Sequence, residues 1–427
     1  MTVLAPPPQD ELELLIREAR ARQRRRWIGT AGAIAGVVLA GYSIAGGSGS
    51  SGKNAGAQAP PPSAAARHST RRISLVADRG VLQRFAPRSA TTWWAIVESN
   101  LHAKTWVVRT TDSGRHWRTV TPPVKLVASS AFLGTKVGWI EAGSLHSGTR
   151  TEPVYRTLDG GRTWKRLAPV SGECQLDFVD LRHGWCVTID GAAGSEGVWV
   201  YRTSDGGSSW RLVSRTWVGG SQPRSTPGAL PFGCDKTIGF TAPRIGWAAQ
   251  YCNGGTPFLY KSIDGGARWH RLAPIPLPKG LEMQDGGGLS LPAAEGSRGL
   301  AVALTVQSAT QPAGRTVIAT SVNGGLSWHS RLVPGKPDWW GADLLDVRHW
   351  RLSDGVTLLT TNDSGRRWRR LADPSTLGSA VAPNFLSPQL GFALPDVNGL
   401  GGLWWTRDGG ETWKRITVHA GPFVLGR

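Results

Sequence analysis

The sequence predicts an all-β chain: a seven-bladed β-propeller of four-stranded antiparallel blades, preceded by one N-terminal transmembrane helix. Three observations carry that expectation. One eight-residue unit, Ser/Thr-x-Asp-x-Gly-x-x-Trp, returns seven times, with Trp-to-Trp intervals of 47, 46, 59, 59, 40 and 45 residues. Periods of this size mark repeat architectures, and those near 40–50 residues are the periods of propeller blades. The composition, with 56 Gly and 21 Trp against 2 Met in 427 residues, suits short strands and tight turns. A single uncharged run, Trp27 to Ala45, stands before the repeats.

The repeated unit is read as a staple across a hairpin. Its copies carry Asp112 and Trp117, Asp159 and Trp164, Asp205 and Trp210, and Asp264 and Trp269. Asn323 and Trp328, Asp363 and Trp368, and Asp408 and Trp413 complete the set. The residues before each copy are extended and apolar, as in Gly197-Val198-Trp199-Val200-Tyr201. The carboxylate is expected to fold back onto backbone N–H groups two residues on, as an Asx turn. The second Gly supplies the positive φ that closes the loop, and the Trp covers the turn from the returning strand. Asn323 can replace Asp because its side-chain oxygen accepts the same bonds. Ser113 and Ser364 stand at the first Gly, so that position admits a side chain. Such a unit is structural and implies no ligand by itself.

A second pattern precedes most staples: a Phe, then seven residues on a Trp or Phe, after a Gly. The clean copies are Phe132 and Trp139, Phe178 and Trp185, Phe240 and Trp247, and Phe385 and Phe392. Gly299-Leu300-Ala301-Val302 and Val347-Arg348-His349-Trp350 are looser versions. This pattern reads as strand, turn, strand; the staple then joins a third strand to a fourth. Four strands repeated radially make a propeller blade. The blades divide at about 79–120, 125–168, 173–214, 233–273, 285–332, 338–372 and 380–417, with insertions at 215–232 and 274–284.

These residues resemble the Asp-box, or BNR, repeats of sialidases and their relatives. The combined arrangement is most similar to the photosystem II assembly-factor-like propellers, and the resemblance spans 79–417. It implies a seven-bladed propeller with the staples at the blade periphery, away from any central pocket. It also implies an assembly role for a membrane complex, although nothing in the residues indicates photosynthesis.

Ahead of the propeller lie a charged segment (1–26), the anchor (27–45) and a Gly/Ser/Pro-rich linker (46–78); a tail (418–427) follows it. Nineteen uncharged residues are just enough to cross a bilayer. Arg22, Arg24, Arg25 and Arg26 precede the run and only Lys53 follows closely. The positive-inside rule therefore places the N-terminus in the cytoplasm and the propeller outside it, on a single-pass cell-membrane protein. A signal peptide is the rival, because Ser43-Ile44-Ala45 resembles a cleavage site. The long charged leader and long apolar run favour an uncleaved anchor.

The four cysteines, Cys174, Cys186, Cys234 and Cys252, form no C-x-x-C, and no His pair sits at zinc spacing. No metal and no cofactor is expected. Two disulfides within hairpins are expected, Cys174–Cys186 and Cys234–Cys252, in keeping with an oxidising exterior. The second pair can face across its hairpin, whereas the first needs a diagonal contact or a bulge.

The net charge of +19 leaves +17 beyond residue 26. Such a charge invites nucleic acid, but a propeller outside the cell disfavours that partner. Fifteen basic residues recur in and just after the staples, from Arg115 to Arg415, at the fourth strand. They protect the blade edges from pairing, or they form a belt that rests on an anionic lipid or envelope polymer.

The function expected is a non-catalytic binding or assembly scaffold for a protein, glycan or envelope component, held at the membrane by residues 27–45. The alternative is a sialidase-like glycoside hydrolase acting on extracellular glycans. Sialidases use three arginines, a Tyr/Glu pair and an Asp. Their early Arg-Ile-Pro is missing, and Arg72-Ile73-Ser74 lacks the Pro. No catalytic set assembles from Tyr155, Tyr201, Tyr251, Tyr260, Asp190 and the repeat glutamates Glu98, Glu141, Glu152, Glu173, Glu196, Glu282, Glu295 and Glu411. The pairs Trp93-Trp94, Trp339-Trp340 and Trp404-Trp405 could line a propeller face, with one member of each in the core.

Overall fold

A computed structural model describes residues 81–425, apart from 100–103, 144–151, 171–173, 193–194, 217–224, 252–254, 285–287, 297, 309–310, 336–340, 354–356, 372–381, 395–402 and 421–422. The predicted charged segment, anchor and linker lie outside the described residues. Among the described residues no helix is long and apolar enough to cross a membrane.

Seven antiparallel sheets follow one another along the chain, at 81–119, 126–166, 175–215, 235–271, 282–332, 341–371 and 382–416. Each is a meander in sequence order. Blade three runs Gln175–Phe178, Gly184–Ala192, Ser195–Thr203 and Arg211–Arg215. In blade five the innermost position is shared by Glu282–Met283 and Ala293–Glu295, both paired with Gly299–Ser308. Part of the predicted insertion at 274–284 is therefore strand.

Apolar side chains fill the spaces between successive sheets and close the ring. Trp94 and Ile96 of blade one meet Phe132 and Ile140 of blade two. Trp185 and Val200 meet Ile238 and Phe240 across the junction of blades three and four. The last junction brings Phe392, Leu403 and Ile416 of blade seven against Trp93, Val97 and Val108 of blade one. Among the described residues no strand is exchanged to make this closure. Instead Val418–Ala420, in the stretch read as a tail, pairs with Phe423–Leu425 and lies against blade one, with Val418 buried in the closing cluster.

Because both faces of a radial sheet are interior, strand alternation does not set core against solvent here. Trp93 and Trp94 are both fully buried, one toward blade seven and one toward blade two. The expectation that one member of each Trp pair lines a face fails for this pair. Trp404 and Trp405 are half-buried, and Trp339-Trp340 lies outside the described residues.

Cys174 and Cys186 are disulfide-bonded with their Cα atoms 5.3 Å apart. Cys186 pairs with Leu176 in the strand register, so the bond is the diagonal one. Cys234 is also disulfide-bonded, and its strand register begins at Asp235↔Tyr251; Cys252 lies outside the described residues. Replacing Cys174 with serine is expected to cost about 2–3 kcal/mol, the scale for a loop of this size. The check is the denaturant midpoint, which should fall equally for Cys186→Ser and for the double variant.

Candidate functional site

In an antiparallel meander the first and third turns share one end of the sheet. All seven staples therefore stand on one face of the ring, with the turns of the Phe/Trp pattern nearer the axis. In blade two the Thr157 hydroxyl donates to Asp159 Oδ1 (2.8 Å) and accepts from the Gly161 N–H (2.8 Å). Asp159 Oδ1 accepts from the Thr163 N–H (3.0 Å), and Oδ2 accepts from the Thr163 hydroxyl (2.6 Å). The carboxylate thus reaches four residues on, not two, because the Thr hydroxyl has taken the nearer N–H groups. The long bond recurs at Asp112 (2.9 Å), Asp205 (2.9 Å), Asp264 (3.0 Å), Asn323 (3.0 Å), Asp363 (2.9 Å) and Asp408 (2.9 Å). The His116 N–H holds Asp112 down at about 2. At Asp205 and Asp408 burial pushes upward, but bonds from Ser209 and Thr412 outweigh it and hold both at about 2. Asn323 accepts the same N–H bond, as its chemistry allows.

The chain is a seven-bladed Asp-box propeller.

No protein-family model matches the sequence, and neither does any curated protein. Among solved structures the propeller is similar to YCF48 bound to D1 peptide, at 16% identity, covering 78% of this chain and 91% of that one with a TM-score of 0.45. It is also similar to the GH93 α-L-arabinofuranosidase of Fusarium graminearum with arabinobiose (14% identity, 67% and 92% covered, TM-score 0.39). A third likeness is to the polysaccharide lyase PL25, an ulvan lyase (11% identity, 78% and 95% covered, TM-score 0.47). Likenesses this remote concern the fold and do not choose between binding and catalysis.

The staples are more than hairpin closures. A Cβ on Gly161 would meet Val120 of the preceding blade at 2.5 Å, and one on Gly325 would meet Leu272 at 2.5 Å. Trp164 and Trp328 donate Nε1–H to carbonyls of the preceding blade, Val120 (2.8 Å) and Ala273 (3.2 Å). Trp117, Trp269 and Trp413 donate within their own turns. The Phe/Trp pattern reaches the other way. Trp139 stacks on Phe178 of the next blade at 3.8 Å and donates to Gly206 O in its staple (2.9 Å). Trp185 stacks on Phe240 at 3.9 Å and donates to Gly265 O (2.9 Å). The two sequence patterns together lock blade to blade.

Blades one and six use a different solution. The residue paired with the staple Thr is Gly138 in blade two and Gly184 in blade three, and the Phe ring of the first strand lies over each. In blades one and six that residue is Trp93 or Trp350, and the first strand offers Pro87 or Leu344 instead of Phe. The ring has changed strands, and the volume is kept. Trp350 therefore occupies the Gly position of the pattern. Arg351 takes the Trp position, donates Nη2–H to Pro388 O of blade seven (3.2 Å) and lies 5.4 Å from the Phe385 ring centre.

The inner strands are met by a set of acids from the neighbouring blade that the sequence did not single out as a group. The first strand of each blade has backbone N–H groups with no fifth strand to receive them, and buried donors need partners. Asp177 Oδ2 accepts from Phe240 N–H (2.8 Å), Glu196 from Lys236 N–H (2.9 Å), Glu141 from Cys174 N–H (3.2 Å), and Asp343 from Phe385 N–H. Each bond crosses a blade junction. Burial pushes Asp177 up and carries Asp343 to about 7, against the pull of the Phe385 N–H and Arg351. Near the axis, burial and then Arg88 bring Arg84 down to about 10, opposed by Asp177. Asp177 and Asp343 each sit one residue before the hairpin turn position of Phe178 or Leu344. An acid there, inside an apolar first strand, is the signal that could have found them.

Glu141 and Glu196, weighed as catalytic carboxylates, are buried acceptors for backbone amides. Glu98 receives a bond from Gln83, and Glu411 pairs with Arg369. Tyr155, Tyr201 and Tyr260 are on third strands. Glu173 and the side chains of Asp190 and Tyr251 lie outside the described residues. Among the described residues no three His, Cys, Asp or Glu side chains are grouped for a metal.

Ten of the fifteen staple-associated basic residues, among them Arg118, Lys165, Arg211, Arg271, Arg370 and Lys414, are on fourth strands. Arg115, Arg162, Arg268, Arg366 and Arg367 are in the staple turns themselves. All of these outer residues are exposed, so every blade presents basic side chains at its rim.

Proposed function

We propose that the propeller is a non-catalytic scaffold, tethered outside the cytoplasm by residues 27–45, that docks an acidic protein or envelope component on its rim. The observation that carries this reading is the exposed basic fourth strand in all seven blades. A ring locked at each junction holds those charges at fixed spacing, which favours an extended anionic partner over a small ligand. Edge protection alone would need a charge on each strand. It would not require the second Arg or Lys found at Lys165-Arg166, Arg369-Arg370 and Lys414-Arg415. The glycosidase alternative draws no support from Glu141 and Glu196, whose oxygens hold neighbouring blades together.

Photo-crosslinking of the full chain in native membranes, from a probe at Thr119 or His329 on the fourth strands of the adjacent blades, tests the proposal. Crosslinked product is expected to fall at least tenfold in the quadruple variant K165E/R166E/R369E/R370E and to weaken with salt. Unchanged crosslinking in that variant, or turnover of a fluorogenic glycoside by the purified chain, would overturn it.

A further inference from the structure

The staple turns differ in what they show to solvent. The residue after the staple Ser/Thr is Leu158 in blade two, Ile263 in blade four and Val322 in blade five, and all three are exposed. Blade five goes furthest. Val322 is 84% exposed and Leu326, four residues on in the same turn, is 76% exposed. This is also the staple in which Asn323 stands for Asp, so the turn Val322-Asn323-Gly324-Gly325-Leu326-Ser327-Trp328 carries no charge at all. The other six staples each keep an Asp. The backbone is not soft here: Asn323 holds Ser327 N–H at 3.0 Å, and Trp328 is tied to blade four. Two large aliphatic side chains are therefore presented to water on a rigid, uncharged turn, at a cost no core contact repays.

The surroundings are basic. Arg244, which donates Nε–H to Ile263 O (3.1 Å), Arg268 within the blade-four turn, and Arg298, whose carbonyl accepts from Gly324 N–H (2.8 Å), are exposed at these turns, against Asp264 and Glu295. Asp264 is committed to its own turn. An aliphatic tip within a collar of arginine matches the boundary of a bilayer, with apolar groups below and anionic headgroups around. The sequence before the described residues holds a 19-residue uncharged run, Trp27 to Ala45, separated from the propeller by 35 residues (46–80). Thirty-five residues span at most about 115 Å at full extension, so their length lets a propeller face meet the membrane that anchors it.

We propose that the staple turns of blades four and five, through Ile263, Val322 and Leu326, dock into the headgroup region of an anionic bilayer. The proposal names the lipid surface met by the scaffold described above, and rests on that reading for its tether. It orients the ring with blades four and five down and blade one away from the membrane.

The test uses the full chain in vesicles, with one added cysteine carrying an environment-sensitive fluorophore at Val322→Cys or, as a control on blade one, Thr111→Cys. Among the described residues no native cysteine is free to compete for the label. In vesicles of phosphatidylcholine with phosphatidylglycerol, the label at 322 should shift to the blue and be quenched by brominated lipid. The label at 111 should remain open to aqueous iodide, and high salt should reverse the shift at 322. Equal access of iodide to both labels in these vesicles would overturn the proposal. So would protection of 322 only in native membranes, because a protein would then cover the tip. Flotation with pure phosphatidylcholine vesicles reads the anchor separately. Flotation with an exposed 322 leaves the anchor standing and removes the docking. Loss of flotation with a quenched 322 in the acidic vesicles does the reverse.

Discussion

Gly161→Ala is expected to destabilise the propeller by about 2–5 kcal/mol, and Gly160→Ala, its neighbour, by only about 1–2 kcal/mol. Both residues have positive φ, 84° and 81°, so both variants carry the same left-handed strain. The difference lies in what the new methyl meets. At 161 it would stand 2.5 Å from Val120 Cβ, a stiff β-branched side chain held at the junction of blades one and two. At 160 its nearest atoms are the guanidinium end of Arg109, at 3.0 Å, which can swing aside. Blades one and six already perform the milder experiment. Ser113 and Ser364 occupy the first position at φ 62° and 61°, and their hydroxyls donate to Ala90 O and Val347 O at 2.9 Å. Denaturant midpoints of the two alanine variants decide the matter. Equal losses would mean that the second glycine is needed for its dihedral alone and that the staple does not bear on the neighbouring blade.

That contrast also shows what the sequence made legible. Spacing revealed the staple, because a Thr hydroxyl, a carboxylate, two left-handed residues and a Trp can satisfy one another within eight positions. The ring followed from counting copies. What spacing could not reveal was the partner of each copy in the next blade. Trp139 and Gly206 are 67 residues apart, and nothing local in either segment points to the other. The Phe/Trp pattern appeared to lapse in blades one and six because a conserved volume had moved from one strand to its neighbour, as at Pro87 with Trp93. A reading that tracks residue type at a fixed position cannot see an exchange across a hairpin. The junction acids were hidden for a similar reason: Glu141 and Glu196 look like spare carboxylates until the amides they accept from are placed beside them.

Asp343 should make stability fall as pH rises across a window where most proteins are indifferent to it. Its carboxyl titrates at about 7 when folded, against 3.8 for the ordinary group, because burial at the junction of blades six and seven outweighs the Phe385 N–H and the Arg351 guanidinium. Below about pH 4 the group is protonated in both states, and its contribution is complete. Between about pH 4 and pH 7 the folded state keeps a proton that the unfolded chain has released, so each step upward favours unfolding. Above pH 7 the loss is finished, on the order of 4 kcal/mol for a shift of this size. The staple aspartates run the opposite way. Asp112, Asp205 and Asp408 are held at about 2, so their contribution is whole above about pH 4 and drains away as pH falls toward 2. The two trends leave a maximum near pH 4–5. In Asp343→Asn the descending limb should lose the share carried by Asp343, leaving that of Asp177, which burial also pushes up, while the acid limb remains, since the amide oxygen still accepts from Phe385 and no charge forms. Unfolding midpoints across the pH range would show it. If the Asn variant tracks the native chain between about pH 4 and pH 7, the proton sits elsewhere, and Asp177, also pushed up by burial at its own junction, is the residue to replace next.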